Sequence, residues 1–206
     1  MNSIRQQVAL GFQIVVVLII WVIFIIFNDV ALQINWKAIK LLPDVISVYA
    51  ILYLIFIKWL WRIPLFRGWL VIVPDLQGTW KGTLETTWVD PQTNKTPTPI
   101  EAYLAIRQTL RDIHITMYTK ESVSNSEATG ICMEEDKGIR LLSYSYSNIP
   151  KATVRERSQI HYGAIRLRIS VRPERKLEGE YWTDRKSTGH AEFRYIGRKL
   201  VQQFAD

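Results

Sequence analysis

The sequence predicts a membrane α plus all-β protein: two N-terminal transmembrane helices, then an eight-stranded up-and-down, lipocalin-like small β-barrel. Two observations predict this class. Apolar residues form two long runs before residue 62, whereas residues beyond 74 form short alternating runs that turn residues separate at regular spacing. We therefore divide the chain into a two-helix transmembrane anchor at 1–62, an interfacial linker at 63–74 and a barrel domain at 75–206.

The first apolar run, residues 8–27, has the length of a membrane-spanning helix. Its residues are apolar except for Gln13 and Gly11, and as a helix the run spans about 30 Å, the thickness of a hydrocarbon core. A cleaved signal peptide is the alternative. Its apolar region would be shorter and would end at small residues, whereas this run ends at Phe27 and Asn28. We predict a retained span.

The second apolar run, residues 45–60, is shorter and less uniform. Trp59 and Trp61 at its end suit the membrane interface, where aromatic residues are enriched. Lys58 and Arg62 carry stems long enough to bring their charges to the head groups. A buried helix of a soluble protein is the alternative. We favour a second span because the run is apolar on all sides and closely follows the first.

Charge near the spans predicts their orientation. Two spans place both termini on one side, and the cations on that side outnumber those of the connecting loop by four to two. The positive-inside rule then places both termini and the barrel in the cytoplasm. Cys132 is the only cysteine, which excludes an intrachain disulfide or a zinc site built from cysteines and favours a reducing compartment.

The second part of the chain contains eight predicted strands. They lie at residues 78–88, 100–108, 113–120, 124–133, 139–148, 159–171, 176–183 and 188–197. The short connections between them favour antiparallel neighbours in chain order, because parallel strands need long crossovers. Eight such strands close most simply into a barrel whose interior holds side chains or one small ligand. A β-sandwich is the alternative architecture.

One end of the predicted barrel has polar residues on its inner face. Alternation places Tyr144, Tyr146 and Asn148 on one face of their strand. It also places Thr183 and Arg185 on the same face as the apolar residues that precede them. An inward arginine has little use in a core built only for stability. We therefore interpret this end as a candidate binding site.

The hairpin around residues 182–188 carries the groups that an anionic ligand needs. Arg185 can donate two hydrogen bonds to a phosphate, and the hydroxyls of Thr183 and Ser187 can donate to phosphate or ribose oxygens. Tyr144, Tyr146 and Trp182 offer aromatic faces on which a base can stack. The alternatives are a polar hairpin turn with structural aromatic residues, and a turn-capping role for Asn148.

The sequence gives little support to catalysis. The three histidines, His114, His161 and His190, are dispersed without metal-binding spacing, and no nucleophile elbow, phosphate-binding loop or dinucleotide fingerprint occurs. We predict no enzyme, no catalytic residue, no metal and no cofactor.

The barrel carries a net charge of only about +3, and a DNA or RNA polymer would need a denser basic surface. Trp80, after Gly78, is expected to plug the closed end of the barrel.

Three segments carry a resemblance to a known family. They are DLQGTWKG at residues 75–82, YSYSNIP at 144–150 and LEGEYWTDRKS at 177–187. With two apolar helices before them, the chain resembles the two-transmembrane β-barrel effectors of bacterial cyclic-oligonucleotide anti-phage signalling (CBASS).

The resemblance implies an antiviral defence function in the bacterial inner membrane. A cognate cyclase would make a cyclic dinucleotide, which the cytoplasmic barrel would bind. Binding would promote a homo-oligomer whose clustered helices disrupt the lipid bilayer, which is abortive infection. The resemblance also implies ligand contacts at the strand that bears Tyr144 and Tyr146 and at the hairpin from Trp182 to Ser187.

Two other functions fit the residues. A membrane-tethered, lipocalin-like carrier of an apolar or aromatic small ligand would have a uniformly apolar interior. A structural subunit without a ligand would have an interior filled by Tyr144, Tyr181 and Phe193.

Overall fold

The computed structural model describes residues 3–30, 36–89, 94–134 and 137–204. The chain divides into two compact units, Met1–Ile72 and Val73–Asp206. The first is helical and the second is a barrel. Each unit has its own packed residues and is described by itself.

The first unit contains three helices, α1 (Ser3–Phe27), α2 (Trp36–Lys40) and α3 (Leu42–Lys58). Two short 3-10 turns follow, at Leu60–Arg62 and Pro64–Phe66. The indole Nε1 of Trp21 donates to the carbonyl oxygen of Ala38 at 3.0 Å, which joins α1 to α2. Phe66 packs edge-on against Phe12 of α1 and Phe56 of α3.

Among the described residues, one helix is long and apolar enough to cross a membrane, at Gln7–Phe27. This supports membrane association only by length and composition, a test that a core helix or a signal sequence also passes. Helix α3 has 17 residues, which is about 26 Å at 1.5 Å per residue and shorter than a typical hydrocarbon core. The expectation of two spans is therefore not confirmed.

The second unit is a closed barrel of eight antiparallel strands in chain order, with β1 also paired to β8. The strands are β1 (Gly78–Thr86), β2 (Ile100–Gln108), β3 (Ile113–Thr119), β4 (Ser122–Glu134), β5 (Ile139–Pro150), β6 (His161–Ser170), β7 (Lys176–Thr183) and β8 (Thr188–Gly197). The predicted up-and-down barrel is confirmed, and the sandwich alternative is wrong. Because the sheet closes on itself, every strand has two hydrogen-bonded neighbours, and the strands together enclose one apolar core. This closure is the reason to expect the unit to fold without the helices.

Strand boundaries differ from the sequence prediction at a few positions. Strand β5 continues to Pro150 because Ser122 pairs with it, and the amide of Lys151 donates to the carbonyl of Glu121 at 2.8 Å. Strand β6 begins at His161, two residues later than predicted, because the preceding segment forms a short 3-10 helix at Ala152–Val154 and a turn.

One end of the barrel is plugged by an aromatic cluster, as expected for Trp80. Its side chain is fully buried, and its Nε1 donates to the carbonyl of Leu76 at 2.9 Å. Tyr195 packs edge-on against it at 5.3 Å. The guanidinium of Arg175 lies 3.7 Å from the centre of the Tyr195 ring. The side chain of Gln108 holds the backbone of Leu76 beneath the plug. We call this the plugged end.

The opposite end is formed where β5 and β7 finish and where β4, β6 and β8 begin. We call it the mouth. The inner face of the barrel is apolar from the plugged end to its middle and becomes polar at the mouth.

Candidate functional site

Strand β5 carries three site residues into the barrel. Tyr144, Tyr146 and Asn148 occupy alternate positions and are all buried, whereas the serines between them lie on the outer side. From the mouth to the middle of the barrel their order is Asn148, Tyr146 and Tyr144. Asn148 is nearest the end of the strand, and Tyr144 contacts the apolar core.

A row of polar side chains in contact with one another crosses three strands at the mouth. Asn148 pairs with Ser124 of β4 on one side and with His161 of β6 on the other. The hydroxyl of Ser124 donates to Oδ1 of Asn148 at 2.7 Å. Nδ2 of Asn148 lies 3.4 Å from Nδ1 of His161. The hydroxyl of Ser124 thereby holds the amide against the wall, with its Nδ2 turned toward His161.

His161 is a neutral imidazole in this arrangement. Its Nδ1 lies 3.0 Å from the carbonyl oxygen of Gln159, which can only accept, so Nδ1 carries the proton. Nε2 then presents a lone pair, and Nη2 of Arg185 lies 3.5 Å from it. Burial lowers the pKa of His161, and the nearby charge of Arg185 lowers it further. Sequence reasoning named His161 only as a dispersed histidine.

Arg185 lies on the rim of the mouth, in the turn between β7 and β8, rather than inside the barrel. Its side chain is exposed, and Nη1 lies 3.4 Å from the hydroxyl of Ser158. Neither this contact nor the one to His161 is short. The guanidinium is therefore steered toward the mouth but keeps most of its hydrogen-bonding capacity free for a ligand.

The turn that carries Arg185 is closed by two predicted site residues. The hydroxyls of Thr183 and Ser187 lie 2.7 Å apart, and the amide of Thr183 donates to the carbonyl of Ser187 at 3.0 Å. Lys186 takes a positive φ of 61°, which lets the chain reverse within the turn. The two hydroxyls thus fix the base of the loop beneath Arg185.

Tyr144 holds a buried polar atom without a partner. Within the described part of the chain its hydroxyl is enclosed and makes no hydrogen bond. Burial also raises the pKa of this phenol, so it stays protonated at neutral pH. The Tyr146 ring stands between it and the mouth, at 6.1 Å between centroids. An unpaired buried hydroxyl costs roughly 1–3 kcal/mol, so the middle of the barrel is not optimised for stability alone.

Two tyrosines at the mouth lie flat against glycines of the neighbouring strand. Tyr146 is opposite Gly163, and Tyr181 is opposite Gly189. A Cβ at Gly163 would lie 2.5 Å from the Tyr146 hydroxyl, and one at Gly189 would lie 2.6 Å from the Tyr181 ring. Each ring therefore occupies space that the side chain of any residue other than glycine would fill. Sequence reasoning missed these pairs, although the register of the two hairpins would have shown a tyrosine facing a glycine.

Trp182 lies apart from the other site residues. It stands on the outer wall with 49% of its surface exposed, opposite Ala164 of β6. The reason is alternation, since Tyr181 and Thr183 on either side are turned inward. The structure brings together Tyr144, Tyr146, Asn148, Thr183, Arg185 and Ser187 at the mouth and in the interior behind it. It does not add the indole to them.

Metal-binding residue types meet on the outer wall, away from the mouth. Among the described residues, Glu178, His190 and Glu192 are near enough to share an ion. The ammonium group of Lys176 lies 2.9 Å and 3.0 Å from the two carboxylates. Lys176, together with Arg194 at 3.3 Å from Glu192, already offsets the charge of the two carboxylates, so this group is an ion-pair network of the barrel surface.

The mouth combines the guanidinium of Arg185 with hydroxyl and amide donors and aromatic rings. Such a set suits a small ligand that has both phosphates and flat bases. The fold and the site are compatible with a receptor for a small ligand, built on a closed β-barrel.

Comparison with known proteins identifies the family. Residues 71–195 match the model described as "Cap15, cyclic dinucleotide receptor domain", and the chain belongs to this family. The chain is also 27% identical over 171 residues to the CD-NTase-associated protein 15 of Staphylococcus schleiferi, which covers 83% of this chain and 86% of that protein. These matches confirm the resemblance to the CBASS effector family.

Proposed function

We propose that this protein is an effector of cyclic-oligonucleotide anti-phage defence whose barrel binds a cyclic dinucleotide at the mouth. The observation that carries the proposal is the convergence of Arg185, the Asn148 row and the two glycine-backed tyrosines at one end of the barrel. A cyclic dinucleotide offers two phosphates and two bases, and the mouth offers partners of both kinds. The family description supports the ligand class.

The ligand is expected at the mouth rather than deep in the barrel. The interior below Tyr144 is filled by buried side chains such as Leu104, Leu142 and Phe193. That filling speaks against a carrier with a large apolar chamber. It also agrees with one expectation for a structural subunit without a ligand. The family's description as a receptor favours the signalling function over that alternative.

The assignment predicts that Arg185→Ala weakens binding without unfolding the barrel. Hydrogen bonds to charged groups contribute about 1.5–3 kcal/mol, so affinity should fall roughly 10- to 100-fold. Isothermal titration calorimetry of residues 73–206 with a panel of cyclic dinucleotides measures this effect. Arg166→Ala is the matched control, because Arg166 is an exposed arginine on the outer wall. Equal losses in both variants would contradict the phosphate role of Arg185.

The helices are proposed to deliver the response. Ligand binding would promote oligomers of the full chain, and the clustered N-terminal helices would disrupt the bacterial inner membrane, with both termini and the barrel in the cytoplasm. The apolar helix at Gln7–Phe27 supports membrane residence. Dye-filled liposomes that contain the full chain test this step. Leakage that starts on addition of a cyclic dinucleotide supports it, and leakage that is independent of the ligand contradicts it.

A further inference from the structure

The contacts around His161 assign it a role beyond filling the wall. The imidazole is buried on the inner face, yet both of its nitrogens face specific groups. Nδ1 is occupied by the carbonyl of Gln159. Nε2 has only the guanidinium of Arg185 within reach among the described groups, and an arginine can only donate. The pair is therefore compatible with one protonation state of the ring, the neutral form with its hydrogen on Nδ1.

We propose that neutral His161 is the positioning residue of the binding site and holds the Arg185 guanidinium over the mouth for the phosphate of the ligand. This rests on the proposed function. Without an acceptor at Nε2, the hydroxyl of Ser158 is the one group in the described part of the chain that would still restrain the exposed arginine. A long side chain that is ordered before binding loses less entropy when the phosphate arrives.

The surroundings of His161 decide the effect of pH. The charged groups that face it are Arg185 and Asp184, both from the β7–β8 turn. Asn148 of β5 and the backbone of Gln159 contribute uncharged groups. Protonation would replace the lone pair at Nε2 by an N–H and would set two cations against each other. The guanidinium would then leave the position that it holds in the neutral state.

The sign of the pH dependence follows from this requirement. Burial and Arg185 hold the pKa of His161 below its ordinary value of about 6.5, so the ring is neutral at pH 7.5. If binding needs the neutral ring, it must remove the proton from those molecules in which His161 is protonated. Affinity should thus be level between pH 7 and 8. It should fall by up to about tenfold per pH unit once the pH drops below the pKa of His161 in the free protein.

Calorimetry from pH 5.5 to 7.5 tests the proposal with wild-type residues 73–206 and the best-binding cyclic dinucleotide. His161→Gln supplies an oxygen acceptor that does not titrate. We expect this variant to lose the decline in acid. His190→Gln is the control, because His190 lies on the outer wall beside Glu178. It should keep the wild-type pH profile, and near-ultraviolet circular dichroism verifies the fold at each pH.

Two results would overturn the positioning role. An acid decline that persists in His161→Gln would assign the pH dependence to other groups. An affinity that rises in acid in the wild type, and not in the variant, would make His161 a cationic phosphate ligand instead.

A measurement without ligand separates this proposal from the proposed function. Nitrogen-15 NMR of the free barrel should show His161 as the neutral form protonated at Nδ1, and Arg185→Gln should raise the pKa of His161, because a nearby positive charge is removed. An unchanged pKa, or a proton on Nε2, would refute the pairing even if cyclic dinucleotides bind. If no cyclic dinucleotide binds the wild type while the NMR result holds, the pairing is real and the ligand assignment is wrong.

Discussion

The two ends of the barrel use the same residue types in opposite ways. At the plugged end Arg175 is half-buried, stacks on Tyr195 and donates to the backbone of Asp75. At the mouth Arg185 is exposed and, among the described residues, makes two long contacts. The indole N–H of Trp80 has a hydrogen-bond acceptor at the plugged end, whereas the hydroxyl of Tyr144 behind the mouth has no partner among the described residues. The side chains of the plugged end therefore stabilise the fold, whereas those of the mouth keep hydrogen-bonding groups that a ligand can use.

This contrast teaches how to separate a structural arginine from a binding one. Both lie near tyrosines, and both sit in or next to a turn that leads into or out of β7. Only the number of satisfied hydrogen bonds and the burial of the guanidinium tell them apart. Changes at the plugged end should therefore act on folding, and changes at the mouth should act on binding.

The largest effect is expected for Trp80→Ala. Removing a fully buried tryptophan from a packed core costs about 3–5 kcal/mol. Urea unfolding of residues 73–206 measures the loss in the free energy of unfolding. A loss below about 1 kcal/mol would contradict the view that the aromatic plug stabilises the barrel.

A smaller effect, which falls on both folding and binding, is expected for Gly163→Ala. The new methyl group would lie 2.5 Å from the Tyr146 ring and 2.8 Å from the carbonyl of Trp182, so the ring must move into the mouth. Overpacking of this kind costs about 1–3 kcal/mol. Unfolding and ligand titration should both be affected. Gly130→Ala is the control in β4, because nothing lies within 4 Å of the added carbon.

The smallest effect, with the opposite sign, is expected for Tyr144→Phe. The substitution removes a buried hydroxyl that has no hydrogen-bond partner in the part of the chain that the structure describes. The free energy of unfolding should therefore stay level or rise by up to about 1 kcal/mol. A clear loss in stability would show that the hydroxyl has a partner, such as a buried water, in solution.

Much of the fold could be predicted from the sequence, because alternation and turns are local signals. The eight strands followed from them, whereas the plug was expected from Trp80 after Gly78 at the start of the first strand. Alternation also identified the polar end of the barrel through Asn148 and Thr183. Trp182 was predicted as a stacking residue because of its aromatic ring, although alternation sets it apart from Tyr181 and Thr183. Its position on the outer wall shows that strand parity is the stronger guide.

Other features of the site depend on contacts between distant segments. His161 meets Arg185 only because the β7–β8 turn folds back over the start of β6, and alternation cannot give that geometry. The glycine-backed tyrosines depend on the register between strands. Whether the hydroxyl of Tyr144 finds a hydrogen-bond partner depends on every group around it. Membrane crossing by α3 likewise stays a prediction, because its 17 residues lie at the edge of what a span requires.

The most direct test of the central claim is amide chemical-shift mapping of nitrogen-15-labelled residues 73–206 with a cyclic dinucleotide. The account predicts that the largest shifts fall at the mouth, around Asn148, His161 and the turn from Thr183 to Ser187, while amides around Trp80 and Gln108 at the plugged end stay unchanged. Shifts that centre on the plugged end, or none with any cyclic dinucleotide, would contradict it.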